Sequence, residues 1–383
     1  ADLVDAETEA QRRQAVRIAG GALRRECEEI RALLVEGMAT VEALLDFSDV
    51  EDAADLTSAS VRKAARHALD RMDRALSTAD SAERLRSGFV VVIAGPPNVG
   101  KSTLMNAMLK QKISIVTNKP QTTRHKILGI LNGEGHQIIF FDTPGIITPH
   151  YLLQEVMMRY ASSALDDADI VLLLVDAEKM RAGEYVKDHT AFQKIQSVKK
   201  KTFLAINKID RVDKAALLPM MEGFSKAFPF EEIYPISALN SEGIVELTNG
   251  LEARLPEHPP YYPEDIVSEA PEKFFVGEII REKIFEQFSQ EIPYSTTVDI
   301  VAFNEREKRK HFISAEIFVE RQSQKGILIG KAGSALKTLG EKARKEIEQF
   351  LGHPVFLELH VKVRDNWRGD ETWLKRLGYD AKS

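Results

Sequence analysis

The segment Gly95-Pro96-Pro97-Asn98-Val99-Gly100-Lys101-Ser102-Thr103 carries the most specific chemistry in the chain. Its G-x-x-x-x-G-K-[ST] spacing lets glycines wrap the backbone so that successive N–H groups face inward, and the following helix start adds partial positive charge toward phosphate. Lys101 suits the β- and γ-phosphate oxygens, and the Ser102 hydroxyl suits Mg²⁺. Alone, this pattern competes with an ordinary strand-to-helix turn and leaves ATP and GTP unresolved. Asp142-Thr143-Pro144-Gly145 follows an apolar run, where a carboxylate holds Mg²⁺ through water and the Gly145 N–H meets the γ-phosphate. Asn207-Lys208-Ile209-Asp210 follows another such run. A carboxylate at Asp210 only accepts hydrogen bonds, and guanine offers two adjacent donors that adenine lacks. Lys208 would lie along the base and ribose, Asn207 would brace neighbouring loops, and Ser237-Ala238 would offer backbone to the guanine oxygen. Four such elements in this order, each at a strand end, point to a guanine nucleotide.

These loops need a scaffold that places them on one edge. The runs Val90–Ala94, Gln137–Phe141, Asp169–Val175, Thr202–Ile206 and Ile233–Ile236 read as strands. Helical patterns at Leu104–Lys110, Glu184–Lys199 and Ala215–Phe228 lie between several of them. The alternation predicts an α/β domain with a mostly parallel sheet and binding loops at the carboxyl ends of its strands. Residues 1–87 differ: they contain no Pro, and apolar or small positions at Val16, Gly20, Leu23, Cys27, Ile30, Leu34, Met38 and Val41 fit one amphipathic helix. A polar break at Ser48–Ser60 and a second pattern through Val61, Ala65, Leu69, Met72 and Leu76 complete a helical hairpin. Four of the chain's 15 prolines fall in Pro256–Pro263, marking a stiff linker. Beyond it, a helix at Glu272–Ser289, strands at Thr296–Phe303, Phe312–Val319 and Val355–Val363, and a helix through Lys342 predict a small α+β domain. The expected division is 1–87 helical extension, 88–255 nucleotide domain, 256–270 linker and 271–383 carboxyl-terminal domain.

At 383 residues the chain suits two or three domains, and 44% apolar with 29% charged residues excludes a wholly disordered or fibrous protein. A single cysteine, Cys27, excludes an intramolecular disulfide and a cysteine-rich zinc site. The longest apolar runs fall far short of the ~20 residues of a membrane-spanning helix. The chain begins with Ala1 and no apolar signal core follows, so an initial segment is expected to have been removed. The net charge of −6 speaks against indiscriminate polyanion binding, yet it divides unevenly: −5 in residues 1–87, 0 in 88–260 and −1 beyond. From Arg321 to Lys345 seven basic residues face Glu341 alone, a local +6. Within that stretch Gly330-Lys331-Ala332-Gly333 follows apolar Ile327-Leu328-Ile329 in what reads as a strand-to-helix passage. A G-x-x-G turn flanked by lysines is how a KH domain clamps the backbone of single-stranded nucleic acid. A lone G-x-x-G is a weak signal, and its ordinary alternative is a helix-starting turn.

From about Ser87 to Tyr379 the chain resembles the Era family of ribosome-assembly GTPases. The marks are the phosphate loop, Pro120-Gln-Thr-Thr-Arg-His125, Asp142–Gly145, Asn207–Asp210, Glu278-Ile-Ile-Arg-Glu-Lys283 and the Gly330–Gly333 turn. The resemblance implies a type II KH-like domain that binds the 3′ end of small-subunit ribosomal RNA through Gly330, Lys331, Ala332 and Gly333, with Lys325 and Lys337 as further phosphate contacts. It implies GTP and GDP as ligands, Mg²⁺ held by Ser102, Asp142 and, in the first switch, Thr123, and a role on the small ribosomal subunit precursor. The residue after Gly145 is Ile146 where Ras-like enzymes place a water-orienting Gln, so intrinsic turnover is expected to be slow. Relatives sharing that replacement use an asparagine at the position of Asn98 to bind K⁺, which supplies charge beside the phosphates. Other readings share the nucleotide domain: an RNA-binding scaffold with structural nucleotide, or a membrane-surface or cell-cycle GTPase without a ribosomal target, for which peripheral membrane association is expected. Ser114–Arg124 and Pro260–Glu269 look like the plastid branch of the family, which implies the chloroplast stroma; bacterial cytoplasm and mitochondrial matrix are the alternatives.

Overall fold

Parallel strands covered by helices on both faces must be apolar throughout, and the central runs of this chain meet that demand. In the computed structural model, which describes residues 29–35, 37–39, 41, 62, 65–72, 89–179, 190–256, 260–306 and 309–379, β1 (Val90–Ala94), β4 (Ile170–Asp176) and β5 (Lys201–Asn207) form the middle of a six-stranded sheet. Every residue of β1 and β4 is buried. The strand order is β2-β3-β1-β4-β5-β6, with β2 (Ile127–Gly133), β3 (His136–Asp142) and β6 (Ile233–Pro235). All pairs are parallel except β2 with β3, an edge hairpin closed by the Gly133–Gly135 turn. The strand pattern above omits β2: its apolar residues are separated by Gly129 and Asn132, and only pairing along β3 identifies them as a strand. Helices α1 (Lys101–Leu109), α2 (Leu152–Asp167), α3 (Thr190–Val198), α4 (Leu217–Ala227) and α5 (Ile244–Glu252) complete this domain. Residues 184–189 of the expected third helix lie outside the described residues.

The carboxyl-terminal region begins with α6 (Glu272–Gln287) and builds a three-stranded sheet in the order β7-β8-β9 from β7 (Thr297–Asn304), β8 (His311–Val319) and β9 (Val355–Val363). β8 pairs antiparallel with β7 and parallel with β9. The parallel pairing requires a crossover, which α7 (Gln322–Ile329) and α8 (Ser334–Leu351) supply. Ile313, Ala315, Ile317 and Val319 alternate toward this crossover and bury with Ile280, Ile284, Leu328, Leu339 and Ile347. The Gly330–Gly333 turn therefore joins two helices. In place of the expected strand-to-helix passage the segment before it is the helix α7, where Gln324 and Leu328 repeat at helical spacing and the Gln324 Oε1 accepts from the N–H groups of Glu320 and Arg321 at 3.0 Å each. A last short helix, α9 (Glu371–Arg376), follows β9.

Contacts divide the chain into two units, residues 1–88 with 258–265, and residues 89–257 with 266–383. In the first, residues 29–35, 37–39, 41, 62 and 65–72 are helical, and Arg71 pairs with Glu29. Cys27 and the Ser48–Ser60 break lie outside the described residues. The second unit holds both sheets. Phe275 and Phe350 join the core of the nucleotide domain, while Trp367, Leu374 and Tyr379 bury against Leu153, Val156, Met157 and Tyr160 of α2. Among the described residues no helix is long and apolar enough to cross a membrane.

Candidate functional site: a nucleotide cleft and a basic helix–turn–helix

The loop between β1 and α1 takes conformations its residue types permit. Gly95 has φ +148°, and a Cβ there would lie 2.5 Å from the Leu174 carbonyl oxygen, so only glycine fits. Asn98 adopts a left-handed φ of 64°, which asparagine tolerates better than most residues, and donates through Nδ2 to the Asn118 carbonyl at 3.2 Å. Lys101 is buried, its Nζ donating to the carbonyls of Pro96 (3.0 Å) and Gly95 (3.3 Å). Burial lowers its pKa to about 8, with the Asp142 carboxylate opposing the change.

Three oxygens from three segments converge beside it. Ser102 Oγ donates to Asp142 Oδ2 at 2.6 Å and lies 3.0 Å from Thr123 Oγ1. Asp142 is fully buried at the end of β3, its Oδ1 has no hydrogen-bond partner among the described residues, and burial raises its pKa. An acidic, oxygen-only cluster with an orphaned carboxylate oxygen suits a hard cation such as Mg²⁺. Thr143 Oγ1 donates back to Ile93 O at 2.9 Å, and the Ile146 N–H donates to Gly95 O at 3.3 Å, holding Gly145 beside Pro97. Pro144 and Val99 are buried in the same loops, and Thr103 lies in the first turn of α1.

On the base side Asn207 ties three loops together. Its Nδ2 donates to Val99 O at 2.7 Å, and its Oδ1 accepts from the N–H of Ala238 (2.9 Å) and of Lys208 (2.8 Å). Asp210 is exposed, with Oδ1 accepting from the Ser237 hydroxyl at 2.6 Å, so a carboxylate and the Ser237–Ala238 backbone share one rim. The Lys208 ammonium reaches Asn98 O (2.9 Å) and buried Asp176 Oδ2 (2.6 Å), crossing from the base side to the phosphate loop. Asp176, the last residue of β4, is absent from the motifs read above; only strand pairing Asp176↔Asn207 sets it beside Lys208.

In the carboxyl-terminal region, Gly330 (φ +72°) admits no Cβ, which would lie 2.7 Å from the Ala335 Cβ. Ala332 takes a left-handed φ of 51°, which leaves Lys331 and Ala332 exposed at the turn. Lys337 is exposed on the first turns of α8, Lys325 is half-buried on α7, and Ile327 is 50% exposed beside them. The turn thus presents cations and accessible backbone next to an apolar side chain, the combination single-stranded nucleic acid requires.

Residues quoted above only as marks of the family resemblance, with no role assigned, join the two regions. Arg124 is 2% exposed and Arg281 is 1% exposed, each reaching across the seam between the two sheets. Arg124 stacks near Phe285 and Trp367, and Arg281 is paired with Glu278. Burial works against the Glu278 carboxylate, but the adjacent guanidinium outweighs it and holds its pKa below the usual range.

Comparison with known proteins follows the same division. Residues 90–208 match the family model of the 50S ribosome-binding GTPases, and residues 291–368 match that of the KH domain. GTPase Era of Lactobacillus helveticus is 45% identical over 300 residues, covering 78% of this chain and 98% of the relative. The chloroplastic GTPase ERA1 of Zea mays is 46% identical over 297 residues, covering 77% of this chain and 70% of the relative. A crystal structure of a variant of Aquifex aeolicus Era bound to GDP and aluminium fluoride superposes with a TM-score of 0.71 at 38% identity, covering 76% of this chain and 98% of that one. A second solved structure, Era in complex with MgGDPNP and nucleotides 1506–1542 of 16S ribosomal RNA, matches with the same TM-score, identity and coverage.

Proposed function

The chain belongs to the Era family of GTPases, and on that premise we propose that it couples GTP hydrolysis to binding of the 3′ region of small-subunit ribosomal RNA during assembly of the small ribosomal subunit. The observation that carries the reading is one compact unit holding both the Ser102–Thr123–Asp142 cluster and the exposed Gly330–Gly333 turn. The RNA-bound Era structure supports it at 38% identity.

In this reading Gly95–Thr103 wraps the phosphates, Asp210 selects guanine, and Asn207 holds the base loop against the phosphate loop. Ser102 and, in the GTP state, Thr123 would hold Mg²⁺, and Asp142 would hold it through water. When bound, Mg²⁺ neutralises charge on the β- and γ-phosphate oxygens. Lys101 supplies a second positive charge at the bridging region, and Gly145 offers its N–H to the γ-phosphate. Ile146 is buried and apolar, so its side chain cannot orient water, and slow intrinsic turnover follows. Asn98 is the residue we assign to K⁺, by the family resemblance; single-turnover hydrolysis at equal rates in K⁺ and Na⁺ would end that assignment. Gly330, Lys331, Ala332 and Gly333 hold the RNA backbone, with Lys325 and Lys337 contacting phosphate. The working domain limits are 1–87, 88–255, 256–270 and 271–383, and the working location is the plastid stroma, a reading supported by chloroplastic relatives at 45–47% identity and one that the equally similar bacterial relatives do not favour.

The test measures affinity for a single-stranded small-subunit 3′-end RNA with GTP analogue, with GDP and without nucleotide. Nucleotide-dependent affinity that is lost in Gly330→Asp is the expected outcome. Equal affinity in all three states would favour a scaffold whose nucleotide is structural, and full affinity in Gly330→Asp would remove the turn from the RNA site.

A further inference from the structure

We propose that the KH half of the unit positions the first-switch segment of the GTPase half, with Arg281 and Arg124 as positioning residues for Thr123. The inference rests on the reading of Thr123 as a Mg²⁺ ligand in the GTP state. Thr123 is 9% exposed and sits in a stretch without helix or strand between α1 and β2, so no ladder of its own domain fixes it. Its two neighbours are fixed from the other half. Arg281 Nη2 donates to the Thr122 carbonyl at 2.5 Å. The Arg124 guanidinium donates to the carbonyls of Thr296 (2.8 Å), Pro293 (3.0 Å) and Tyr294 (3.2 Å) in the loop before β7. Further back along the segment, Lys119 Nζ donates to the Phe285 and Phe288 carbonyls at the end of α6. The Val116 N–H donates to Glu282 Oε1 at 2.8 Å.

The arrangement is directional. Glu278 holds the Arg281 fork through Nε at 2.8 Å and Nη2 at 2.5 Å, so the guanidinium is aimed before it meets Thr122 O, and its buried Nη1 has no hydrogen-bond partner among the described residues. An ion pair serving only the KH fold would not extend a bond into a loop 159 residues earlier in the chain. Arg124 works in the opposite sense: a GTPase-domain side chain fills a socket of KH carbonyls beneath Trp367, which is itself fully buried. Thr123 is thereby held on both sides within 3.0 Å of Ser102 Oγ. Metal ligands must be kept within about half an ångström of their productive position, so this grip sets how well the GTP-state metal site forms.

The experiment follows release of the fluorescent analogues mant-GppNHp and mant-GDP from the full chain, in Mg²⁺ and in EDTA. Thr123→Ala reports on the underlying reading. The double variant Glu278→Met with Arg281→Met removes the donor while replacing a buried ion pair by apolar side chains, a change folded proteins often tolerate. It is expected to release mant-GppNHp about tenfold faster in Mg²⁺, as Thr123→Ala does, with release in EDTA and release of mant-GDP unchanged. Lys119→Ala, at the rim, gives a smaller effect of the same kind, about two- to threefold, and serves should the double variant not fold. Wild-type release from the clamp variants beside accelerated release from Thr123→Ala overturns the inference alone. Equal acceleration of both nucleotides reduces the clamp to a structural contact and also overturns it. Wild-type release from Thr123→Ala overturns the reading of Thr123 on which it rests.

Discussion

Lys101 illustrates how a single side chain is prepared for a ligand. Its ammonium lies inside the phosphate loop among carbonyls, and burial has already brought its pKa down to about 8. A bound triphosphate would stabilise the charged form and raise that value. The linkage sign is then fixed: affinity is full where the free protein is protonated, below about pH 8, and declines as pH rises above it. Nucleotide binding at pH 8.5 should take up a fraction of a proton, seen by calorimetry in two buffers of different ionisation enthalpy. Observed heats that are identical in the two buffers at pH 8.5 would show that no proton is taken up and that Lys101 is already fully charged. Asp142 is the complementary case. Burial raises its pKa while Lys101 and the Ser102 hydroxyl oppose the shift, leaving a carboxylate with one oxygen free for a cation.

At the scale of elements, the seam between α2, the start of β2 and the carboxyl-terminal tail carries the coupling. The His125 ring stacks on Tyr379 with centroids 4.4 Å apart and meets Phe274 edge-on at 5.3 Å. Burial lowers its pKa to about 4; the Glu278 carboxylate opposes this, and the Arg281 and Arg124 charges each add a smaller effect in the direction of burial. The folded value lies below the ordinary 6.5, so the neutral ring contributes stability that is complete above pH 6.5 and is lost as pH falls toward 4. The shift corresponds to about 3 kcal/mol, enough to move a melting midpoint by several degrees. Wild type should therefore lose more thermal stability than His125→Gln between pH 6.5 and pH 4.5. Parallel melting curves for the two proteins would show that the ring is already accessible to protons. The same seam explains why α6 is buried along most of its length: it packs on its own sheet and on the switch segment at once.

For the whole molecule, charge is distributed by task. The net −6 is carried mostly by residues 1–87, and the +6 of Arg321–Lys345 is concentrated on α7, the turn and α8. A small clamp of this kind contacts few phosphates. With Lys325, Lys331 and Lys337 engaged, the logarithm of RNA affinity should fall against the logarithm of salt with a slope of about −2, at about 0.7 per contact on single strands. Lys331→Ala should weaken binding across RNA sequences and reduce that slope by about 0.7. A slope that stays unchanged in the Lys331 variant would place the ammonium away from phosphate.

The particular elements show where sequence suffices. The phosphate loop, Asp142–Gly145 and Asn207–Asp210 are legible from spacing alone, because each is a contiguous run whose backbone and side chains act together at one strand end. The five parallel strands were legible for a related reason: burial on both faces demands unbroken apolar runs. β2 was not, since an edge strand broken by Gly129 and Asn132 draws its identity from its partner β3. The helix before the Gly330 turn is not legible, because apolar Ile327-Leu328-Ile329 is too short to show a period. Asp176 carries no local signature, and Arg124 and Arg281 stand in recognisable segments that do not say what they bind, because these partners lie 32, 172 and 159 residues away. Sequence by itself determined the guanine-nucleotide chemistry and the two kinds of domain. Only the tertiary structure decided that the switch is gripped by the KH half, because buried charges find partners across the fold and not along the chain.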